Sequence, residues 1–395
     1  MPGRNLNEDP VEGSRDVIEH ELEKQDAGGS LPDRRPPSRG RHGRRSAIRL
    51  KPLKEQTIVI TGASSGIGLA TARKAARAGA RVVLASRNGD ALAGICREIV
   101  RGGGRAEYVR TDVGLEKDVE HLAAIAVERF GGFDTWVNNA GIGLIATADR
   151  TGSEQHHKIF ETNYFGVVHG SLAALRQFRV QGSPSALINL GSVVSDMPMP
   201  YSAAYSASKH AIKGFTDSLR VEVMQEGLPV SVTLIKPSAI DTRFFDHAPS
   251  EMGGMGKAPG PHYAPSVVAK AILDAAENPR RQVPVGSTAH LAPFFEQLAP
   301  RFVDQRQAGM RHRDLVDTAH QPAGSSITGV PDEGHERSRF GQGRTFSLTT
   351  SAKRHRTGLF ILSTLATGAL LAMASGSRVK PGARTKRIAR KERSA

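Results

Sequence analysis

The chain carries the run Tyr205-Ser206-Ala207-Ser208-Lys209. On a helix, a tyrosine and a lysine four positions apart share one face. A free phenol, with a pKa of about 10, is a poor base at neutral pH. An ammonium beside it favours the phenolate and lowers that pKa, so the pair can serve as an acid/base near working pH. The same spacing also fits a half-buried tyrosine next to a solvated lysine.

Three upstream stretches give the pair its context. Thr61-Gly62-Ala63-Ser64-Ser65-Gly66-Ile67-Gly68 follows the apolar run Thr57-Ile58-Val59-Ile60 and precedes a helical pattern from Leu69 to Ala76. Strand, glycine turn and helix make a dinucleotide motif credible. Gly62, Gly66 and Gly68 let the backbone approach a pyrophosphate at the positive end of that helix, with Ser64, Ser65 and Ile67 lining the turn. The second stretch is Asn138-Asn139-Ala140-Gly141 and the third is Asn189-Leu190-Gly191-Ser192. With Asn163 added, residues of about 55 to 300 resemble the classical short-chain dehydrogenases/reductases.

The resemblance implies a role for each matching residue. Tyr205 donates a proton to a carbonyl oxygen in reduction and removes one from an alcohol in oxidation. Ser192 hydrogen-bonds the same oxygen. Lys209 lowers the phenol pKa and holds the nicotinamide ribose, and Asn163 holds a water in the proton relay. Asp112 and Val113 match the adenine contact. Asn139, Ala140 and Gly141 belong to the cofactor site. Pro237 and Thr242 lie in the loop facing the cofactor amide, where Ser238 replaces a glycine usual in the family. The resemblance also implies a lid between Ala239 and Pro265 and a homo-oligomer built on two long helices.

Cofactor choice is read at the end of the second strand, where NAD-binding sites place an acid. Here the residues are Ser86-Arg87. A small residue leaves room and a guanidinium matches a phosphate, so NADP(H) is expected over NAD. No metal is expected, because nicotinamide carries the hydride. His156, His157 and His210 have no partners at metal-ligand spacing.

The elements that must position these groups alternate. Strands are expected at 57–60, 81–85, 106–110, 135–138, 186–190, 230–235 and 282–285. Helices are expected at 90–101, 115–130, 153–180, 201–226 and 266–277. Such alternation predicts an α/β fold: a doubly wound parallel sheet of Rossmann type with helices on both faces, forming one catalytic domain with flexible tails. Its ligands lie beyond the carboxyl ends of the strands. Phe244, Phe245, Met252 and Met255 make the expected lid apolar, so the substrate is expected to be an apolar alcohol or ketone.

The 395 residues carry a formal charge of +15. Residues 301–395 hold eighteen basic and seven acidic groups, whereas 57–300 is close to balanced. A nucleic-acid enzyme is expected to carry its charge on the working domain, so nucleic acid is not the expected partner. The single cysteine, Cys96, excludes an intrachain disulfide and is expected to be a small buried filler. The first fifteen residues lack the apolar segment of a secretory signal, and a cytoplasmic catalytic domain is expected.

The expected organisation is a disordered arm at 1–56, the catalytic domain at 57–300, and a polar linker at 301–352, of which 321–344 fits either a linker or an extended wrapping segment. A candidate membrane-anchoring helix follows at 353–377, then a basic tail at 378–395. Thr357 to Ser377 is free of charged residues and matches the roughly 20 residues that a bilayer core requires. A soluble helix docked on the domain is the alternative for this segment. For the whole protein, the alternative to an enzyme is a catalytically silent, cofactor-binding sensor or scaffold on a membrane. Intact Ser192, Tyr205, Lys209 and Asn163 argue against it.

Overall fold

A computed structural model describes residues 48–330, 334–341, 343–347 and 350. The chain enters through β1 (Thr57–Thr61), α1 (Gly66–Arg77), β2 (Arg81–Ser86), α2 (Gly89–Arg101), β3 (Arg105–Arg110), α3 (Glu116–Phe130) and β4 (Thr135–Asn138). It continues through α4 (Ser153–Phe160), a π-helical turn (Glu161–Phe165), α5 (Gly166–Gln181), β5 (Ser185–Leu190), α6 (Ala203–Glu226) and β6 (Val230–Pro237). Next come the short α7 (Phe244–His247), β7 (Met255–Gly256), α8 (Pro265–Glu277), β8 (Gln282–Val285), α9 (Ser287–Leu298), α10 (Pro300–Ala308), α11 (His312–Leu315) and β9 (Val316–Asp317).

Seven strands form one parallel sheet in the order β3-β2-β1-β4-β5-β6-β8. Strand side chains alternate between faces, and the two cores follow that period. Ile58, Ile60, Val82, Leu84 and Val137 pack against α1 and α8 through Leu69, Ala72, Val268 and Ile272. Val59, Val83, Trp136 and Leu187 point the other way, against Leu122 of α3, Leu175 of α5 and Leu219 of α6. Trp136 is fully buried and stacks near Phe133, with ring centroids 5.2 Å apart; Phe178 meets the same Phe133 edge-on. Cys96 is buried in the first of these cores, where desolvation pushes its thiol up to about 11. A thiol held protonated is a filler rather than a nucleophile.

Three features depart from the expected elements. The helix predicted over 153–180 is interrupted by the π-helical turn at Glu161–Phe165. One extra residue per turn is invisible to a 3.6-residue period, and such turns gather at functional sites. Helix α9 was absent from the sequence expectation, because Pro293 sits inside it and its Leu291, Phe294 and Leu298 remain exposed instead of marking a core face. The stretch expected as a polar linker at 301–352 instead continues as α10, α11 and β9, and its described part from 321 to 344 lies along the sheet domain. β9 pairs antiparallel with β7. Beyond it, Ala323 N–H donates to Asp246 O at 2.7 Å and Ser326 N–H to His247 O at 2.8 Å. Further on, Gly66 N–H donates to His335 O at 3.0 Å, Gly334 N–H to Ser64 O at 2.9 Å and Ala264 N–H to Arg344 O at 2.8 Å.

Among the described residues, no helix is long and apolar enough to cross a membrane. The candidate anchor at 353–377, the basic tail and residues 1–47 of the expected arm lie outside the described residues, whereas residues 48–56 of that arm are not disordered: Lys51 pairs with Asp134 at 2.6 Å and Gln56 is buried.

Candidate active site

The glycine turn between β1 and α1 is shaped by contacts that leave no room for side chains. Gly62 has φ +63°, and a Cβ there would lie 2.8 Å from Ala140 Cα; one on Gly68 would collide with the Gly62 carbonyl. Asn139, just past β4, braces the turn from below. Its Nδ2 donates to Thr61 O at 2.9 Å and Gly62 O at 3.1 Å, while Thr61 Oγ1 accepts from Asn139 N–H.

A cleft runs from this turn past Ser86, Arg87, Asp112 and Val113 to Asn139, Ala140, Gly141 and Thr242. The predicted cofactor residues Gly62, Ser64, Ser65, Gly66 and Ile67 all line it, and Gly68 supports them from beneath. Arg87 stands at the wall, its Nη2 donating to the Ser326 carbonyl at 2.8 Å. Ser326 and Val330 of the wrapping segment line the same cleft. These two escaped the sequence reading, because a contact across 239 positions leaves no local pattern. Asp112 turns its carboxylate back to accept from Gly114 N–H at 3.0 Å.

A second, larger cavity of about 670 Å³ adjoins the cleft, and Ile67, Asn139, Gly141, Thr242 and Phe244 line both. Ser192, Tyr205, Lys209 and Pro237 line this second cavity. β5 delivers Ser192 and α6 delivers Tyr205 and Lys209 one turn apart. Ser192 Oγ accepts from Val194 N–H at 3.3 Å and hydrogen-bonds the Tyr205 phenol. Burial pushes that phenol up to about 12, the bond to Ser192 opposing the shift. Lys209 is 4% exposed, and burial pushes its ammonium down to about 8. Its Nζ donates to Leu190 O at 2.9 Å and lies 5.6 Å from the Tyr205 ring centroid.

The expected lowering of the phenol pKa by Lys209 is therefore corrected: desolvation wins in this arrangement, and Tyr205 is held as a proton-bearing phenol. The ammonium is engaged by a backbone carbonyl instead.

Asn163 sits in the π-helical turn, fully buried. Its Oδ1 accepts from Ile142 N–H at 2.8 Å, and its Nδ2 donates to Ile142 O and Ser208 Oγ, each at 3.0 Å. The extra residue of the turn thus ties the loop after β4 to the helix that carries Tyr205. A Cβ on Gly141 would lie 3.3 Å from Asn163 Oδ1 and 3.7 Å from Lys209 Nζ, so this glycine keeps a space open beside both. Ser238, in place of the usual glycine, does not take positive φ. Its hydroxyl occupies the space that a side chain on Gly286 would fill.

The wall opposite Tyr205 is apolar. Phe244 lies 5.3 Å from the Tyr205 ring and 5.3 Å from the Phe245 ring, centroid to centroid. Leu144, Met197 and Met199 add to it from the loops after β4 and β5. Leu291, Phe295, Phe302 and Met310, from α9, α10 and the turn beyond, complete it. Of the expected lid residues, Phe244 and Phe245 reach the cavity, while Met252 and Met255 do not line it; Met252 packs behind it against Ile145, Leu315 and Val316. Among the described residues no group of acidic, histidine or cysteine side chains could hold a metal ion.

A parallel sheet, a glycine-turn cleft and a Ser/Tyr/Lys cavity in continuity define an oxidoreductase of the short-chain dehydrogenase type. Residues 56–253 match the family described as short chain dehydrogenase, and the chain belongs to that family. It is 44% identical over 265 residues to the uncharacterized oxidoreductase YxnA of Bacillus subtilis, covering 66% of this chain and 74% of that protein. It is 37% identical over 194 residues to 3beta-hydroxysteroid dehydrogenase 1 of Eggerthella lenta, covering 48% of this chain and 72% of that one.

Among solved structures, an alcohol dehydrogenase from Thermococcus sibiricus complexed with 5-hydroxy-NADP superposes with a TM-score of 0.51 at 28% identity. That match spans 58% of this chain and 95% of the other. A short chain dehydrogenase/reductase from Burkholderia phymatum in complex with NAD shares the fold, with a TM-score of 0.57 at 24% identity over 66% and 99% of the two chains. The family uses a nicotinamide cofactor and acts on small molecules, and its neighbours include both NAD and NADP forms.

Proposed function

We propose that this protein is an NADP(H)-dependent oxidoreductase interconverting an apolar ketone and its alcohol, with Tyr205 as the acid/base. The observation that carries the reading is the Tyr205 phenol, hydrogen-bonded to Ser192 in a cavity that opens onto the glycine-turn cleft. The residues present fit the cofactor in part: the glycine turn has no side chain to obstruct a pyrophosphate and Gly141 leaves space beside Lys209 and Asn163, while Gly66 N–H is given to His335 O of the wrapping segment. Gly62, Ser64, Ser65, Gly66, Ile67 and Gly68 would hold the phosphates and adjoining ribose. Asp112 and Val113 would meet the adenine; Asn139, Ala140, Gly141, Pro237 and Thr242 the nicotinamide half. When bound, the nicotinamide supplies or accepts the hydride.

The chain's own contribution is proton handling and exclusion of water. A phenol pushed up to about 12 retains its proton at neutral pH, which suits donation to a developing alkoxide. Ser192 is placed to donate to the same oxygen and stabilise its charge. Lys209, one helical turn away, offers charge-assisted hydrogen bonds to ribose hydroxyls. Asn163 keeps the loop at Ile142 fixed to α6, so Tyr205 and the cleft floor cannot drift apart. Phe244 and Phe245 shield the reacting centre, where low dielectric strengthens each of these interactions.

The preference for NADP(H) rests on Arg87, whose guanidinium stands at the cleft wall with only part of its donor set spent on Ser326 O. In purified protein, Arg87→Asp is expected to lower the ratio of kcat/KM for NADPH over NADH by at least about tenfold, as a carboxylate repels phosphate and accepts from ribose hydroxyls. The measurement is nicotinamide absorbance with a panel of apolar ketones. Wild-type protein that works better with NADH overturns the NADP(H) assignment, and absence of nicotinamide oxidation with every ketone overturns the function.

Exposed apolar side chains at Phe165 of the π-helical turn, Leu172 of α5, and Val221 and Met224 of α6 support a homo-oligomer through these helices. The uncharged run from Thr357 to Ser377 supports a membrane anchor holding a cytoplasmic catalytic domain. Full-length protein is then expected in the membrane fraction and a chain ending at Ser351 in the soluble one. Both chains in the soluble fraction without detergent removes the anchor.

A further inference from the structure

Helix α9 turns a row of large apolar side chains away from the core. Leu291, Phe294, Phe295 and Leu298 fall at i, i+3, i+4 and i+7, the spacing of a single helical face. All four are exposed, as is Phe302 of α10. Phe294 and Leu298, 58% and 70% exposed, stand outside the substrate cavity, so their surface is turned to solvent. Leu291, Phe295 and Phe302 also line that cavity, and its apolar wall therefore runs out onto the row. The helix itself packs on β8, α10 and the turn after Ser192.

Contiguous apolar surface with a polar rim marks a contact site, and here the rim is basic. Arg301, Arg306 and Arg313 are exposed and form no ion pair among the described residues. Asp304 is the only acid between Arg301 and Arg313. Glu296, the only acid of α9, keeps its Oε2 buried. The chain also leaves the described residues beside this helix. Thr350 Oγ1 accepts at 3.1 Å from the N–H of Gly286, the residue before α9. Lys353-Arg354-His355-Arg356 and then the uncharged run from Thr357 follow in the sequence. Seven residues reach at most about 25 Å, so these cations and the start of that run are confined to the neighbourhood of α9.

We propose that the outer face of α9, with Phe302, is a docking surface for an anionic lipid bilayer. The apolar row enters the boundary between headgroups and acyl chains, and the arginines meet lipid phosphates; apolar helical faces with basic flanks bind lipid in this way. A second copy on the same face would bring two sets of arginines together, and residues 357–377 folded back onto it would offer them no anion. With the face on lipid, the cavity opens where an apolar ketone or alcohol collects. The inference rests on the proposed membrane association and goes beyond the anchor, because it assigns a lipid contact to the folded domain itself.

The test puts a tryptophan on the row in the full-length protein. Phe294→Trp and, as an independent position, Leu298→Trp are mixed with vesicles of phosphatidylcholine and phosphatidylglycerol whose acyl chains carry bromine, which quenches indole only at close contact. Both positions are exposed, so neither substitution disturbs a core. The native Trp136 is fully buried, and wild type supplies its background. Emission from each variant is expected to fall at least about twofold below that in unbrominated vesicles, and by less in phosphatidylcholine alone, because the arginines favour anionic headgroups. Sedimentation with vesicles is read in parallel. Protein that sediments while both tryptophans stay unquenched overturns the docking surface and leaves the anchor in place. Unquenched emission that is already blue-shifted without vesicles also overturns it, with 357–377 or a second copy as the cover. Quenching equal in the two lipids overturns the anionic partner. Protein that does not sediment overturns both the docking surface and the membrane association.

Discussion

Tyr205→Phe is expected to lower kcat by about 10³-fold or more while cofactor affinity stays within a few fold of wild type. General acid–base groups contribute roughly 10²–10⁴-fold, and here the group removed is the proton-bearing one. The substitution deletes one oxygen. It keeps the ring that packs 5.3 Å from Phe244, so the apolar wall is preserved. The partner left behind is the Ser192 hydroxyl, whose oxygen still accepts from Val194 N–H and whose O–H is left in a side chain that lines the cavity. Single-turnover absorbance separates the chemical step from binding. Wild-type turnover in this variant would remove Tyr205 from the mechanism. The pH dependence has a definite sign: because burial holds the phenol up at about 12, reduction is not expected to lose its proton donor anywhere below pH 10.

Lys209→Met carries the second large effect, with both turnover and cofactor binding lost. The expected result is a fall in kcat of about 10²-fold or more and a rise in the dinucleotide Kd of about tenfold, since charge-assisted hydrogen bonds are the strong ones. The wild-type ammonium is pushed down from its ordinary 10.5 to about 8 by burial. It is charged below that pH and neutral above it. Cofactor affinity in the wild type therefore weakens as pH rises through about 8, and Lys209→Met abolishes that dependence. Stability moves in the opposite direction. Between about 8 and 10.5 the unfolded chain holds the proton that the folded chain has lost, so this residue makes folding more favourable as pH rises across that window. Fluorescence titration of NADPH between pH 6.5 and 9.5 reads the binding effect. An affinity that is flat across that range in wild type would show that Lys209 is not a charged contact to the cofactor.

Much of the site was readable because its determinants are local. The glycine spacing at 62, 66 and 68 sits inside one turn, and Tyr205 and Lys209 lie one helical turn apart. Strands β1, β2 and β6 carry β-branched runs whose alternate residues feed two cores. What the sequence hid depends on distance or on environment. The π-helical turn that aims Asn163 is one added residue within a continuous helical pattern. Phe295, Phe302 and Met310 line the substrate cavity from a region where Pro293 and Pro300 break the period. The phenol pKa followed from burial, which no spacing between a tyrosine and a lysine encodes.

The wrapping segment also sets an order of events during synthesis. Arg73, in the first helix of the sheet domain, pairs at 3.0 Å with Glu336, 263 positions later. Gly66 N–H of the glycine turn donates to the neighbouring His335 O at 3.0 Å. At synthesis rates of about 5–20 residues per second, the β1–α1 turn emerges from the ribosome at least ten seconds before the residues that cover it. The nascent chain can assemble its sheet, its glycine turn and the Tyr205 helix first. Only then does the last wall of the nucleotide cleft arrive, with Ser326 for Arg87. A nascent chain arrested before Ser326 would hold the family's core and lack that wall. Closure of the cleft during translation is thereby tied to synthesis of residues as far as Glu336.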